Sequence, residues 1–289
     1  MRIQIRLLGL FALVFPSLWG CAGMSVSMPG PVGAITNIAM QTAPKVLQAA
    51  RPISDSEEYY VGRAVAARIL STYVLYQEQP LTQYVNLVGQ TVARKSSRPY
   101  TSRGYHFAVL DTPELNAFAC PGGIVFVTLG LIKACGSEDQ LAAVLAHEVS
   151  HVAHKDGINS ISQARWTQVL TTMGTEAARQ YGGVAGELVS LFEGSIDDVF
   201  KTVVVNGYSR SAEEAADAEA LTILNGAGYS PGALEGLLTK VAASDKGGGG
   251  IFRTHPPTSE RLAAVKAKAT EGPPGEMELL RAKRFRQVS

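Results

Sequence analysis

The sequence of 289 residues predicts an α+β domain that is mostly helical and carries a small antiparallel sheet at a cleft. Three observations predict this class. Apolar residues recur at helical spacing in several long segments, and two short runs rich in β-branched and aromatic residues are typical of strands. An H-E-x-x-H motif lies inside one of the helical segments, which places a candidate catalytic site on a helix.

The H-E-x-x-H motif occupies residues 147–151. Residues four apart on an α-helix lie on one face, so His147 and His151 can direct two imidazoles at one point, with Glu148 beside them. This pattern is typical of the ligand pair and the general base of a zinc peptidase. The motif therefore predicts a metal site on this helix.

The first 20 residues predict a signal peptide. Arg2 and Arg6 precede an apolar run over residues 7–18, which is too short to span a bilayer. The formal net charge of +1 includes both arginines, so the rest of the chain is close to neutral. This balance argues against a nucleic-acid binder.

Cys21 follows Leu-Trp-Gly in a sequence that resembles a bacterial lipobox. We expect Cys21 to be lipidated and to anchor residues 21–52, which are rich in Pro, Gly, Ser and Met, as a flexible tether. Ala22 after the cysteine favours the outer membrane in enteric-type bacteria. The alternative is an ordinary signal peptide that is cut nearby and leaves a free thiol.

Two strands are predicted over residues 105–110 and 124–128, with residues 116–123 between them. Pro121 has no N–H to donate to a ladder, so residues 116–123 suit the edge of a sheet. An extended peptide can dock on such an edge by strand addition. The other interpretation is a plain hairpin connection.

Cys120 and Cys135 are the cysteines that remain beyond the predicted lipid anchor. An exported chain meets an oxidising compartment, so these two thiols are candidates for a disulfide. Two separately buried thiols are the competing interpretation.

A catalytic zinc site usually takes three protein ligands and keeps one position for water. His154 is one candidate for the third ligand, but it lies two turns beyond His147, about 10 Å along the helix axis. We therefore expect His154 to be a surface residue or an outer partner.

A carboxylate on a second helix is the better third ligand. Glu213 and Asp217 are four apart and share a face with the small residues Ala216 and Ala220, which permit a close approach to the metal helix. Glu213 would bind zinc, and Asp217 would orient a ligating histidine as an outer acceptor.

Capping boxes predict where two of these helices begin. Ser137 with Gln140 predicts the start of the metal helix, and Ser211 with Glu214 predicts the start of the second one. Glu214 and Glu219 are expected to face solvent. The stretch 271–289, which holds Arg281, Lys283, Arg284 and Arg286, predicts a basic tail with a solvated face.

Four blocks of the sequence resemble a known family. They are N-A-F-A-x-P-G-G at 116–123, H-E-x-x-H at 147–151, S-R-x-x-E-x-x-A-D at 209–217 and H-P-x-x-x-x-R at 255–261. In this order they resemble the gluzincin zinc metallopeptidases that include HtpX, the CAAX prenyl proteases and periplasmic outer-membrane quality-control proteases. The resemblance implies a zincin-like metallopeptidase domain over residues 53–270 that binds one zinc ion per chain.

The resemblance also implies a role for each site residue. The implied zinc ligands are His147, His151 and Glu213, and the implied catalytic residues are Glu148 and His255. The implied outer partners of the ligands are Asp217 and Arg261. The substrate cleft would be lined by Asn116, Ala117, Phe118, Ala119, Gly122 and Gly123.

His255 admits two roles. It could donate a hydrogen bond to the oxyanion of the transition state, for which Tyr208 is a weaker candidate. It could also act as a gate, because residues 247–250 are four glycines that would form a hinge and let the imidazole take the fourth ligand position.

The expected function is a zinc-dependent endopeptidase of the bacterial periplasm that degrades misfolded or misassembled envelope proteins. It would be held at the outer membrane through a lipid anchor at Cys21. One alternative is a chaperone-like or assembly factor for outer-membrane proteins with a latent zinc site, and another is a non-enzymatic metal-binding protein.

Overall fold

The helices and strands come from a computed structural model that describes residues 53–160, 196–244, 254–255, 259–269 and 275–288. The predicted leader, Cys21, the tether and the glycine run at 247–250 lie outside these residues. Over the described ranges, no helix combines the length and the apolar character needed to cross a bilayer. The helices are α1 Asp55–Leu70, α2 Gln79–Ala93, α3 Leu129–Ala134, α4 Glu138–Ala153, α5 Arg210–Ala227, α6 Gly232–Ser244, α7 Ser259–Lys268 and α8 Glu276–Phe285, and the strands are β1 His106–Leu110, β2 Ala117–Cys120 and β3 Ile124–Thr128.

The predicted α+β class, mostly helical with a small sheet, is confirmed, but the sheet is mixed rather than wholly antiparallel. Its strand order is β1-β3-β2. β2 pairs antiparallel with β3, whereas β1 pairs parallel with β3. The reason is that the chain reverses direction between β1 and β2 and again at the short turn Pro121–Gly123, so β1 and β3 run the same way, and β3 lies between the other two strands. β2 is therefore an edge strand of this sheet, as the proline at 121 predicts.

The two faces of the sheet enclose two separate apolar clusters, because successive side chains of a strand point to opposite faces. Phe107, Val109 and Val127 pack with α2, α4 and α5 in the larger cluster. Phe118 and Phe126 pack with α1 and with residues 199–204 in the smaller one. β2 is covered along its edge as well as on both faces, because residues 117–120 are at most 3% exposed with their backbone included.

The candidate disulfide between Cys120 and Cys135 is wrong. Both cysteines are free and buried. Cys120 belongs to the smaller apolar cluster and Cys135 to the larger one, so the sheet separates them. Burial raises the pKa of Cys135 to about 12 and that of Cys120 further, so both groups stay protonated thiols.

The helix ends agree with the sequence at α4 and differ at α5. Ser137 caps α4 by accepting a hydrogen bond from the N–H of Gln140 at 3.3 Å. At α5 the cap is Ser209, which accepts from the N–H of Ala212, so the predicted cap at Ser211 is wrong. Glu213 lies in the first turn of α5 and is buried.

The predicted basic tail is the helix α8, and two of its arginines pair with buried carboxylates, although the side chain of Arg284 stays 58% exposed. Arg281 donates to both oxygens of Asp139 at 2.9 and 2.8 Å, and Arg284 donates to both oxygens of Glu138 at 2.8 and 2.5 Å. Asp139 and Glu138 are buried in the first turn of α4. The C-terminal helix is thereby attached to the start of the metal helix, whereas Lys283 stays exposed.

Replacing Arg281 with methionine should lower the free energy of unfolding by about 3 kcal/mol, because it leaves the buried carboxylate of Asp139 without its bidentate partner. The measurement is urea unfolding followed by circular dichroism. Arg286 is exposed on the same helix, and its replacement with methionine should change the stability by less than about 0.5 kcal/mol. Equal stability of the two variants would show that the pair does not hold α8 in place.

Candidate metal centre

The metal helix α4 presents two buried imidazoles to one point. The Nε2 atoms of His147 and His151 are 3.2 Å apart, and their rings meet edge to face. Val149 and Leu145 on the opposite side of the helix are fully buried in the larger cluster. Packing on that side fixes the rotation of α4, so the two histidines point away from the core centre and towards α5.

Glu213 on α5 completes a set of three donors. Its carboxylate oxygens lie 3.3 Å from Nε2 of His147 and 3.4 Å from Nε2 of His151. The close approach of the two helices depends on small residues, since Ala216 and Ala220 on α5 are fully buried. The structure thus brings together the three residues that the sequence indicates as ligands.

The three donors fit a zinc ion. Ligand atoms about 2.0–2.1 Å from one tetrahedral zinc lie about 3.3–3.4 Å from each other. The two imidazole nitrogens are 3.2 Å apart, and Glu213 approaches His147 at 3.3 Å with one carboxylate oxygen and His151 at 3.4 Å with the other. Two imidazole nitrogens and one carboxylate are also the donor types that zinc prefers. With His255 included, one ligand atom from each of the four side chains lies within 4.8 Å of the others.

Each histidine is oriented by an aspartate on its other ring nitrogen. Oδ1 of Asp217 is 3.0 Å from Nδ1 of His147, as the spacing of Glu213 and Asp217 predicts. Oδ2 of Asp156 is 2.7 Å from Nδ1 of His151. These contacts direct both Nε2 lone pairs to the same point.

Asp156 is a site residue that the sequence reasoning missed. It lies beyond the end of α4, where Lys155 takes a left-handed conformation with φ 59° and turns the chain back towards the helix. The only signal in the sequence is a carboxylate five residues after His151, and helical spacing alone would not place it on the ring.

Arg261 supports the acidic side of the site. It donates to both oxygens of Asp217 at 2.7 and 2.9 Å, and its Nη1 lies 2.9 Å from Glu213. Arg261 is itself almost wholly buried. Its side chain therefore fixes Asp217 and Glu213 relative to each other from the first turn of α7.

The charges of the site favour a cation at its centre. Burial alone would lower the pKa of His147, but Asp217 and Glu213 raise that pKa to about 10. Burial alone would raise the pKa of Asp217, but Arg261 and His147 lower it to about 2. Burial likewise opposes ionisation of Glu213, yet His255 and the ligand histidines hold its pKa far below the usual range.

His255 lies inside the donor set rather than at its margin. Its Nδ1 is 2.8 Å from Glu213 and 3.3 Å from Nε2 of His147, and its Nε2 is 3.6 Å from Oε1 of Glu148. Glu148 is buried next to the ligand His147. The ring of Tyr208 stacks on His151 with centroids 4.2 Å apart. All the predicted catalytic side chains therefore meet at one place.

The predicted substrate segment forms the edge strand and its turn, but its side chains face inward. Asn116 is buried, and its Oδ1 accepts from the N–H of Ala117 and lies 3.5 Å from the hydroxyl of Thr254. Phe118 is fully buried in the smaller cluster, and Ala119 is also buried. Gly122 and Gly123 lie in the turn after β2, both with positive φ. Contacts with a peptide would therefore be made by backbone groups.

Three polar residues lie away from the donor set. His154 pairs with Glu219 at 2.5 Å, so His154 is not a ligand. Glu219 also accepts from the N–H of Ser97, so the expectation that it faces solvent is wrong. Glu214 is half-exposed and pairs with Arg210, as a surface residue would.

Comparison with known proteins agrees with this geometry. A family model described as peptidase family M48 matches residues 80–269. The chain is 26% identical over 234 residues to the beta-barrel assembly-enhancing protease of Yersinia pestis, which covers 77% of this chain and 46% of that protein. It is 30% identical over 240 residues to protease HtpX of Xylella fastidiosa, covering 71% and 80%.

A third relative is the mitochondrial metalloendopeptidase OMA1 of Schizosaccharomyces pombe, 27% identical over 202 residues that cover 69% of this chain and 55% of that protein. The chain spans less than half the length of the assembly-enhancing proteases it matches. The family model covers well over half of the chain and includes every residue of the donor set. The chain therefore belongs to peptidase family M48, a family of metallopeptidases.

Proposed function

We propose that this chain is a zinc-dependent endopeptidase with one zinc ion held by His147, His151 and Glu213. The observation that carries the proposal is the convergence of these three buried donors, whose ligand atoms lie within 4.8 Å of one another, with Glu148 beside them. Zinc bound there would polarise the scissile carbonyl and bring the pKa of its water near neutrality. Cleavage of casein by the zinc-loaded protein tests the proposal.

The protein side chains supply the proton transfers. Glu148 accepts a proton from the attacking water and delivers it to the leaving amine, which a carboxylate next to the ligands can do without moving far. Asp217 and Asp156 hold the ligand rings in one orientation, so no reorganisation is needed during the reaction. Arg261 keeps Asp217 ionised for this task.

An extended peptide would dock along β2. β2 is an edge of the sheet, and strand addition would satisfy backbone groups of both chains. The peptide would first displace the side chains that now contact this edge, which are Asn116 on the N–H of Ala117 and Tyr208 on the carbonyl oxygen of Ala119. The proposed docking is through the backbone of residues 116–119, because their side chains are committed to the interior. Such docking selects for an extended conformation of the peptide more than for its sequence, which suits unfolded polypeptides as substrates.

The proposed setting is the periplasmic side of the outer membrane, with residues 1–20 as a signal peptide, Cys21 lipidated, 21–52 as a tether and 53–270 as the peptidase domain. The support is the lipobox-like sequence, together with relatives named for enhancing β-barrel assembly. The proposed substrates are misfolded or misassembled envelope proteins. An assembly factor with a latent site is the second candidate, and the position of His255 is the observation that favours it.

His255 is proposed to act as a gate that holds the site latent. Its Nδ1 lies within the donor set, where it would serve as a fourth ligand and compete with the water. The hinge proposed at residues 247–250 lies outside the described residues. His255 itself is buried, so its imidazole would leave the donor set only if the chain segment that carries His255 moved.

Replacing His255 with alanine should leave zinc bound and raise the rate of casein cleavage above that of the wild type. The reason is that the three remaining ligands suffice to hold zinc while the competing imidazole is gone. The measurements are bound zinc and the initial cleavage rate. A rate about 10²–10³ below the wild type would instead identify His255 as an oxyanion donor and rule out the gate.

A further inference from the structure

A buried carboxylate on α1 contacts the turn that ends the docking strand. Glu58 is fully buried and accepts a hydrogen bond from the N–H of Gly122 at 3.0 Å. The same carboxylate accepts two bonds from Arg98, each at 2.8 Å, and Nζ of Lys155 is 3.5 Å away. The buried carboxylate of Glu58 is therefore paired with the cations of Arg98 and Lys155, and one of its oxygens also accepts from the turn.

One helical turn later, Gly62 lets the backbone of α1 touch the same turn. A Cβ atom at Gly62 would lie 1.7 Å from the carbonyl oxygen of Pro121, which is far inside contact distance. On the other side, Gly122 has φ 77°, and a Cβ there would lie 2.8 Å from Cα of Tyr59. The contact is backbone against backbone from both sides, so neither partner can shift independently.

The group around Glu58 also reaches the end of the metal helix. Nη1 of Arg98, which binds Glu58, lies 3.4 Å from the carbonyl oxygen of Val152 in the last turn of α4. Lys155 follows that turn directly and contacts both Glu58 and Asp55. One set of contacts thus ties the end of β2 to the helix that carries His147 and His151.

We propose that Glu58 and Gly62 are positioning residues for the peptide substrate: they fix the end of the docking strand β2 relative to the metal helix. This inference rests on the proposed endopeptidase function. A peptide that pairs with β2 takes its register from that strand, so a displaced strand would carry the scissile carbonyl away from the donor set. Glu58 and Gly62 touch neither the substrate nor the ligands, and they act through the turn Pro121–Gly123.

The test compares Gly62→Ala with the matched control Gly226→Ala. Both glycines are helical, and a Cβ at Gly226 meets nothing closer than 3.8 Å. Two substrates are used, a blocked tetrapeptide and a longer casein peptide able to pair along β2. We expect Gly62→Ala to raise KM for the longer peptide on the order of 10-fold, with bound zinc and tetrapeptide cleavage unchanged. Gly226→Ala should behave as the wild type with both.

An unchanged KM for the longer peptide in Gly62→Ala would overturn the inference, and so would an equal loss with both substrates. If Gly62→Ala does not fold, Glu58→Gln replaces it, because glutamine keeps an acceptor for Gly122 and removes the charge that holds Arg98 and Lys155. The same shift in KM, smaller in size, is expected, and its absence in folded protein counts against the proposal.

Binding separates this inference from the proposed function. A fluorescein-labelled casein peptide is titrated into zinc-loaded Glu148→Gln protein with and without Gly62→Ala, and anisotropy reports its Kd. A wild type that cleaves neither peptide would refute the proposed function, whereas a weaker Kd with Gly62→Ala would still support the positioning role. Equal Kd values in the two proteins would refute that role whatever the activity.

Discussion

Replacing Glu148 with glutamine should lower kcat for casein by a factor of about 10²–10⁴ and leave zinc bound. Glutamine keeps the shape of the side chain but cannot accept the proton of the attacking water. Glu148 is not one of the grouped ligand residues, so its amide should not disturb the metal. Substrate should still bind, since the docking strand β2 is unchanged.

The measurement combines the cleavage rate, bound zinc and the polypeptides that co-purify from the periplasm. Glu214→Gln is the matched control, because Glu214 is a half-exposed surface residue. Enriched envelope polypeptides on the Glu148→Gln protein would identify substrates. Full function of this variant in cells would contradict proteolysis and support the assembly-factor alternative.

Replacing Glu213 with glutamine should lower the affinity for zinc by more than the factor of about 10–100 that is typical when a residue that orients a zinc ligand is lost. An amide is a weaker zinc donor than a carboxylate, and the change also leaves Arg261 facing a neutral group in a buried site. We expect the purified variant to lose its zinc during dialysis, and with it all cleavage.

Glu214→Gln again serves as the control and should retain the zinc content of the wild type. Only Glu213 faces the two ligand histidines, whereas Glu214 points to Arg210 on the outside of α5. Equal zinc loss from both variants, or loss from Glu214→Gln alone, would refute the assignment of the third ligand. Metal analysis by mass spectrometry gives the answer without any assay of activity.

Helical spacing predicts much of the site because its parts are local. His147 and His151 are one turn apart on α4, and Glu213 and Asp217 are one turn apart on α5, so each pair shares a face whatever the rest of the fold does. The small residues Ala216 and Ala220 also mark the face of α5 that approaches α4.

Residue spacing does not predict contacts between segments that are brought together, or kept apart, by the topology of the fold. Cys120 and Cys135 are close in sequence, yet the sheet separates them because alternate residues of β2 face opposite sides. The parallel pairing of β1 and β3 likewise depends on the insertion of β3 between β1 and β2, which brings together two strands that run the same way. The pattern of apolar residues predicts neither the separation of the two cysteines nor the parallel pairing.

By itself the sequence determined the class of fold, the edge position of β2, and the chemistry of a histidine-glutamate metal site, since each depends on residue types at short spacing. Only the tertiary structure decided which distant charged groups pair at that site and around the elements that carry it. Asp156 reaches His151 through a left-handed turn, and Arg281 on the C-terminal helix clamps Asp139 at the start of α4. Glu58 reaches Gly122 across 64 residues of chain. The physical reason is that a buried charge takes whatever partner packing brings within hydrogen-bond distance, and packing is a property of the whole chain.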